Sequence, residues 1–343
     1  GNGRVIYKGS GTNIALSNLP TGTNFSIAFF EFNSYDYDVP CYNKSAYTYS
    51  FSSPSDCYRT ISSGNWEDTL IWEKQLMCVG GWVPAEEIPS FNSSTVTISE
   101  GHQVLINEDI TLDELIIDKD AVLTIDAGIN VHFNYASLKD LVVKGGTLVN
   151  NGFVTYHESV LADFNEGSTY IHNQDGGKLP TATWGDNSNC NITGIIESVP
   201  TNLKQDFYNF LWNCEGQTAY IGFDDNNFPQ QIRGVAEFRK AGASSQCNFN
   251  ALRTWTGDLI VGCKILIMTT TTPTGAFTVR DLNIVANSEG QRVLMNNSGN
   301  TLTLNIRNLT IKDNGVLDYN GIQSNATTVN VSGDLTINTG GKI

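Results

Sequence analysis

The sequence predicts an all-β chain whose larger part is a parallel β-solenoid, and three observations predict it. Only 16% of the 343 residues are charged, while Asn, Thr, Ser and Gly alternate with Val, Ile and Leu; ordinary domains carry about a quarter charged residues, and period-two alternation is the mark of half-buried strands. Phe210, Ala236, Leu259, Leu282, Leu309 and Leu335 each open an apolar pair, at steps of 26, 23, 23, 27 and 26 residues. The partners two positions on, Trp212, Phe238, Val261, Ile284, Ile311 and Ile337, are apolar without exception. Leucine-rich repeats share a period in the mid-twenties. They need an Asn or Cys after the strand and a helical return, whereas the returns here are Gly, Asn and Thr among β-branched residues, so a stacked β-coil is expected. Its hand is taken as right-handed from the general preference of parallel crossovers.

Taken in order, residues 1–54 open with TNIALSNLPTGTNFSIAFFEFNS (12–34), two alternating stretches about a Pro-Thr-Gly turn. AYTYSFSSP (46–54) adds a third, with Tyr47, Tyr49 and Phe51 on one face. Together they resemble the last three strands of a fibronectin type III sandwich. Phe25 stands where that family has its corner tyrosine, so the hydroxyl bond cannot form, and the early strands are missing. A partial module is expected over 1–54.

Residues 55–94 read as an entry or cap segment. SGNWEDTLIWEK (63–74) followed by VTISEGHQVLI (96–106) resembles a G8-type β-helix entry, with its small-Gly-x-Trp, second Trp and Gly-His-x-Val elements. The β-helix is expected over 95–343, with a break allowed for near 174–189. Within it Leu115 with Ile117 and Leu141 with Val143 repeat the apolar pair, again 26 apart. DKDAVL (118–123), KGGTL (144–148) and KDNGVL (312–317) reverse the chain through Gly, Asp or Asn. The chain runs out at SGDLTINTGGKI (332–343), with neither an amphipathic helix nor a charged plug over the last coil. A bare end coil exposes an unpaired edge, so the expectation is that further coils of a longer chain stack there.

The net charge of -15 argues against nucleic acid or anionic membrane as a partner. No apolar run is long enough to span a membrane, and GNGRVIYKGS lacks the succession of a signal peptide; an export signal would lie outside this chain. The seven cysteines include no Cys-x-x-Cys pair and no histidine at zinc spacing. Disulfides in an extracellular setting fit better, with Cys190 to Cys214 and Cys41 to Cys57 as the candidate pairs.

Catalytic candidates are few. Polysaccharide-active solenoids place carboxylates on outward faces of neighbouring coils, and a column exists: Glu114 and Asp140 precede the inward Leu in the first coils, and Asp258, Asp281, Asn308 and Asp334 do so in the last. Bare carboxylates one rung apart repel by about 1 kcal/mol in water. Asn308 relieves that repulsion, and Lys144 and Lys312 lie in nearby turns, so a solvated polar column is the expectation and no catalytic residue is assigned. GFDDNNF (222–228) offers Asp224, Asp225, Asn226 and Asn227 in one turn, short of the six or more oxygens calcium takes; no cofactor is expected, with calcium as the one alternative. His102, His132, His157 and His172 form no ligand pair and read as turn or surface residues. The six tryptophans read as core, Trp212 by its place on the inward column.

KLPTATWGDNSNCNITGI (178–195), NFLWNC (209–214) and the Gly-Asp-Leu coils resemble the repeating passenger of very large Bacteroidetes cell-surface proteins, SprB-like gliding adhesins among them. The resemblance implies export by a type 9 secretion system, attachment at the outer membrane through its anchoring machinery, and a non-enzymatic role in adhesion or gliding. Extracellular surfaces or glycans would be the partners. Two alternatives stay open: a β-helix lyase or hydrolase acting on polysaccharide, and a glycan-binding module without catalysis.

Overall fold

The computed structural model describes residues 24–30, 32–33, 41–42, 45–52, 55–134, 140–158, 160–242, 246–268, 274–285, 292–296, 301–318 and 327–343. Two short 3-10 turns, Thr69–Ile71 and Leu76–Cys78, are the helical elements among them; the rest is strand, turn and loop. The larger part is a parallel β-solenoid. One sheet of thirteen strands runs the length of the coil, from Gly64–Asn65 to Leu335–Ile337. An eight-stranded sheet, a three-stranded sheet and a five-stranded sheet form the other walls.

Registration in the long sheet follows the apolar pairs. Phe210 lies opposite Ala236, Ala236 opposite Leu259, Leu259 opposite Leu282, Leu282 opposite Leu309 and Leu309 opposite Leu335. The column continues downward through Cys190, Tyr170, Leu148, Leu123 and Val104. With rungs about 4.8 Å apart, every inward residue rests on the one below and carries the one above. A one-residue slip would turn the whole set outward, so the apolar columns fix the register as well as filling the core.

Leu115 with Ile117 and Leu141 with Val143 also stack on each other, but in the eight-stranded sheet. They are a second wall of the coil, not an earlier stretch of the first column. A repeat of apolar-x-apolar recurs on each wall, and its spacing alone does not say which wall it belongs to.

Stacking also begins earlier than residue 95. Cys57–Thr60 pairs in parallel with Thr95–Ile98, and Gly64–Asn65 with Gln103–Ile106, so the segment 55–94 supplies the first rung. On its outer side Cys57–Thr60 pairs antiparallel with Trp72–Gln75, which in turn pairs with Val83–Pro84, covering that edge. No break interrupts the long sheet at 174–189, where Thr169–His172 pairs residue for residue with Asn189–Ile192. Ahead of the coil, Asn24–Phe29 is antiparallel to Tyr47–Ser52 and Phe32–Asn33 to Cys41–Tyr42; residues 1–23 of the expected partial sandwich lie outside the described residues.

The turns follow their chemistry. Asp120 and Asn314 take left-handed φ of 57° and 61°, a region that Asp and Asn tolerate. In KGGTL, Gly145 has φ of 76°, and a Cβ on Gly146 would stand 2.4 Å from the Asp118 carbonyl oxygen of the rung below. Here glycine is needed for close approach between rungs.

The core is aromatic in its middle third. Phe164 stacks on Trp184 at 4.4 Å, and a chain of ring contacts continues through Phe207, Phe210, Phe238, Phe249 and Phe277 to Trp255. Trp66, Trp72, Trp184, Trp212 and Trp255 are all buried, as the sequence implies; Trp82 is half-buried beneath the Arg59 guanidinium, 4.3 Å from its ring.

The column makes a graded prediction. Leu282 is fully buried and Leu335 is 53% exposed, although both lie on one column. Leu282→Ala should cost about 2–5 kcal/mol of unfolding free energy through lost burial and the cavity left behind, while Leu335→Ala should cost roughly 0.5 kcal/mol. Urea denaturation of the two variants checks this, and equal losses would contradict the stacking.

Candidate functional site: the outward polar ladders

Outside the column of leucines runs a column of polar side chains. At Arg280 and Arg307 the long strands Thr274–Ile284 and Thr301–Ile311 turn a corner of the coil, and period-two alternation breaks: Val279 and Leu282 point in, while Arg280 and Asp281 both point out. Ile306, Arg307, Asn308 and Leu309 repeat the pattern one rung on. Two adjacent outward residues per rung let each arginine reach back to the carboxylate of the rung before it.

Arg280 forks Asp258 with Nε to Oδ1 at 2.6 Å and Nη2 to Oδ2 at 2.7 Å, and Arg307 forks Asp281 at 2.9 and 2.7 Å. This bidentate geometry suits guanidinium and carboxylate. Asn308 Nδ2 also donates to Asp281 at 3.0 Å, and Asn308 Oδ1 accepts from the Asp334 backbone N–H at 2.9 Å. Lower on the sheet Asn209 accepts from the Val235 N–H at 3.0 Å and donates to Asn189 at 3.1 Å; Asn189 donates to Thr169 at 3.4 Å. Hydrogen bonding from Arg307 holds the Asp281 carboxyl below its ordinary range.

Of the column read from sequence, Asp258, Asp281, Asn308 and Asp334 stand on successive rungs of this sheet, while Glu114 and Asp140 lie on another wall; the cations beside Asp258 and Asp281 are arginines. Lys144 sits instead 3.9 Å from Asp118, in the turn one rung below its own. Arg-Asp and Arg-Asn in VRDLNI and IRNLTI carry the signal, but strict alternation would turn each arginine inward and so hides it.

Glu114 and Asp140 come together on adjacent rungs at another corner, because Leu115 stacks on Leu141. Asp113 joins them. Its Oδ1 is buried without a hydrogen-bond partner, and burial, then the charges of Asp140 and Glu114, push its carboxyl up to about 6. Burial, with the charge of Asp140, raises Glu114 too, against a hydrogen bond from Thr95. Asp140 is fully buried and accepts from the Leu161 N–H at 3.2 Å. Chemically, the raised Asp113 carboxyl can hold a proton at a pH where an ordinary carboxylate has lost it.

His172 is not a surface residue. Alternation in Thr169–His172 puts Tyr170 and His172 inside, and His172 is completely buried. A carbonyl can only accept, so Nε2–H donates to Gly176 O at 2.7 Å, and Nδ1 accepts from the Tyr170 hydroxyl at 3.2 Å. Asn150 Nδ2 donates to the same hydroxyl at 3.1 Å. Burial holds the imidazole below its ordinary range, opposed by the Gly176 bond. His102 is half-buried against Thr60, His132 lies on an outward face against Thr155, and His157 is exposed.

The GFDDNNF turn bonds partly within itself and partly to neighbouring residues. Asp224 Oδ1 accepts from the N–H groups of Asn226 and Asn227 at 2.8 and 3.0 Å, Asn227 accepts from Leu203, and Asp225 pairs with Arg253 at 2.8 Å. Among the described residues no group of three or more His, Cys, Asp or Glu is arranged to hold a metal ion.

Both expected disulfides are corrected. Cys57 is bonded to Cys78, with Cα atoms 4.9 Å apart, because the antiparallel return of Trp72–Gln75 carries the Leu76–Cys78 turn back beside it; the Cys41 side chain is not among those described. Cys190 and Cys214 are buried free thiols. Cys190 lies opposite Phe210, so Cys214 is four residues farther along the next rung, roughly 13 Å on at strand rise and beyond a disulfide's reach. Cys247 and Cys263 are buried and free as well. Burial pushes Cys190 and Cys247 upward and Cys214 up to about 12, so these thiols are poor nucleophiles.

His172 and Asp113 give opposite pH dependences. The imidazole has its ordinary value of 6.5 when unfolded and a lower one when folded; the unfolded chain binds more protons, and stability falls as pH drops through 6.5. The Asp113 carboxyl moves from 3.8 unfolded to about 6 folded; the folded chain binds more protons there, and stability rises as pH falls from about 6 towards 3.8. Urea melts across this range should show His172→Gln flattening the loss below pH 6.5. In the same melts Asp113→Asn should stabilise the protein near neutrality and change little below its unfolded value of 3.8.

The chain matches no family model, no curated protein and no solved structure.

Proposed function

We propose that this chain is a non-enzymatic structural and adhesive segment of a large secreted bacterial cell-surface protein, a stiff stacked rod that carries or forms a binding surface. The observation that carries this reading is the mutual bonding of outward polar side chains from rung to rung. Arg280 with Asp258, Arg307 with Asp281, and Asn209 with Asn189 are each committed to a neighbour on the next rung. Such bonds tie rungs together along the coil axis, and hydrogen-bonded sheets with a continuous core resist separation as a unit.

The partners in this reading are extracellular surfaces or glycans, further segments of a longer chain, and outer-membrane anchoring machinery. The Bacteroidetes resemblance supplies the surface location, export by a type 9 system and the gliding context as parts of the proposal.

A second reading has one observation behind it. The raised Asp113 carboxyl beside Glu114 and Asp140 is the arrangement a polysaccharide hydrolase or lyase would use as a proton source.

Two measurements on the same protein separate the readings. Stretched in a single-molecule instrument, the protein should lengthen in steps of one or more whole rungs, with Arg280→Gln combined with Arg307→Gln lowering the force. Incubated with a panel of polysaccharides, it should release no product. Turnover lost in Asp113→Asn would overturn the structural reading in favour of the enzymatic one.

A further inference from the structure

The three-stranded sheet, Ile110–Leu112, Asn130–Phe133 and Phe153–Tyr156, carries an outward face unlike the others. Its inward residues, Val131, Phe133 and Val154, are buried. Outward, two columns stand side by side: Asp109, Asn130 and Phe153 in one, and Thr111, His132 and Thr155 in the other. Five of these six are polar. The sixth, Phe153, is 60% exposed, a large ring left in water on a strand whose next residue is core.

Asp109, Asn130, His132 and Thr155 are each held in place by a neighbour. Asp109 accepts from the Asn130 backbone N–H at 2.7 Å and from its Nδ2 at 3.0 Å. These bonds, the backbone one first, hold its carboxyl below the ordinary range, so it is ionised and oriented at neutral pH with lone pairs to spare. His132 Nδ1 is bonded to the Thr155 hydroxyl at 2.9 Å, which leaves Nε2 for an outside partner. Phe153, these polar side chains, Ile110 and Val131 line one depression of about 250 Å³. That is slightly under the ~300 Å³ at which small-molecule pockets begin, a size for one or two rings and not for a buried chain.

We infer that this strip binds a neutral glycan, with Phe153 stacking on the apolar face of one sugar ring while Asp109, Asn130 and His132 bond its hydroxyls. A pyranose offers both surfaces at once, C–H groups on one face and hydroxyls at the rim, and this strip offers an aromatic face beside a fixed carboxylate, amide and imidazole. Asp109 and the chain's net charge of -15 select against sulfated or uronic-acid sugars. The inference rests on the adhesive part of the function proposed above; the rod-like part stands independently of it.

The test uses the full chain on an array of neutral and acidic glycans, followed by calorimetric titration of the strongest neutral oligosaccharide. Phe153→Ala should weaken binding at least tenfold and Asp109→Asn several-fold. Phe91→Ala, which removes another exposed ring (50%) from residues outside the strip, should leave it unchanged. Circular dichroism melts of each variant confirm that the fold is intact. No neutral glycan bound, acidic glycans alone bound, or a neutral glycan bound equally by Phe153→Ala would each overturn the inference. If rung-wise unfolding under force is intact in that same preparation, the failure belongs to the glycan site and not to the rod.

Discussion

Everything in this molecule depends on one constraint: inward side chains must stack on their equivalents one rung away. A single coil has too little interior to exclude water, and it leaves strand edges unpaired on both sides. Neighbouring coils supply both missing parts at once. The requirement then propagates outward, because strands held in register by Phe210, Ala236, Leu259, Leu282, Leu309 and Leu335 also hold their outward residues in register. The arginine forks, the asparagine ladder and the Phe153 strip are consequences of the same alignment.

Corners are where the coil departs from simple alternation, and its polar chemistry concentrates there. Arg280 and Asp281 face out together because the backbone turns between them, and the Asp113, Glu114 and Asp140 cluster likewise falls between the three-stranded and eight-stranded walls. A flat wall offers one outward residue in two, spaced for contact with the next rung. A corner offers two in succession, so it can place a cation beside an anion, or several carboxylates close enough to disturb one another.

How much of this is legible in the sequence follows from the same geometry. The inward column is readable because alternation and the rung repeat reinforce each other at Leu259, Leu282 and Leu309. Leu115 and Leu141 show the limit: their spacing reveals a column but not which wall it lies on. The role of Arg280 is hidden by the corner, and the Cys57–Cys78 bond by an antiparallel return that no repeat announces. His172 and Phe153 were within reach. Alternation in TYIH places the histidine inside, and alternation with Val154 places the phenylalanine outside, against the usual preference of each residue type. Parity, where the wall is straight, is a better guide to position than polarity.

Disulfide trapping tests the stacked register most directly. Ile260 and Asn283 face each other on adjacent rungs, and Thr310 lies one rung beyond Asn283. With rungs about 4.8 Å apart, Ile260→Cys with Asn283→Cys brings Cα atoms within bonding range, while Ile260→Cys with Thr310→Cys leaves them roughly 10 Å apart. Under mild oxidation the first pair should cross-link nearly completely and the second should not, as read by non-reducing peptide mapping. No cross-link in the first pair, or equal yields in both, would contradict a coil built on in-register parallel rungs.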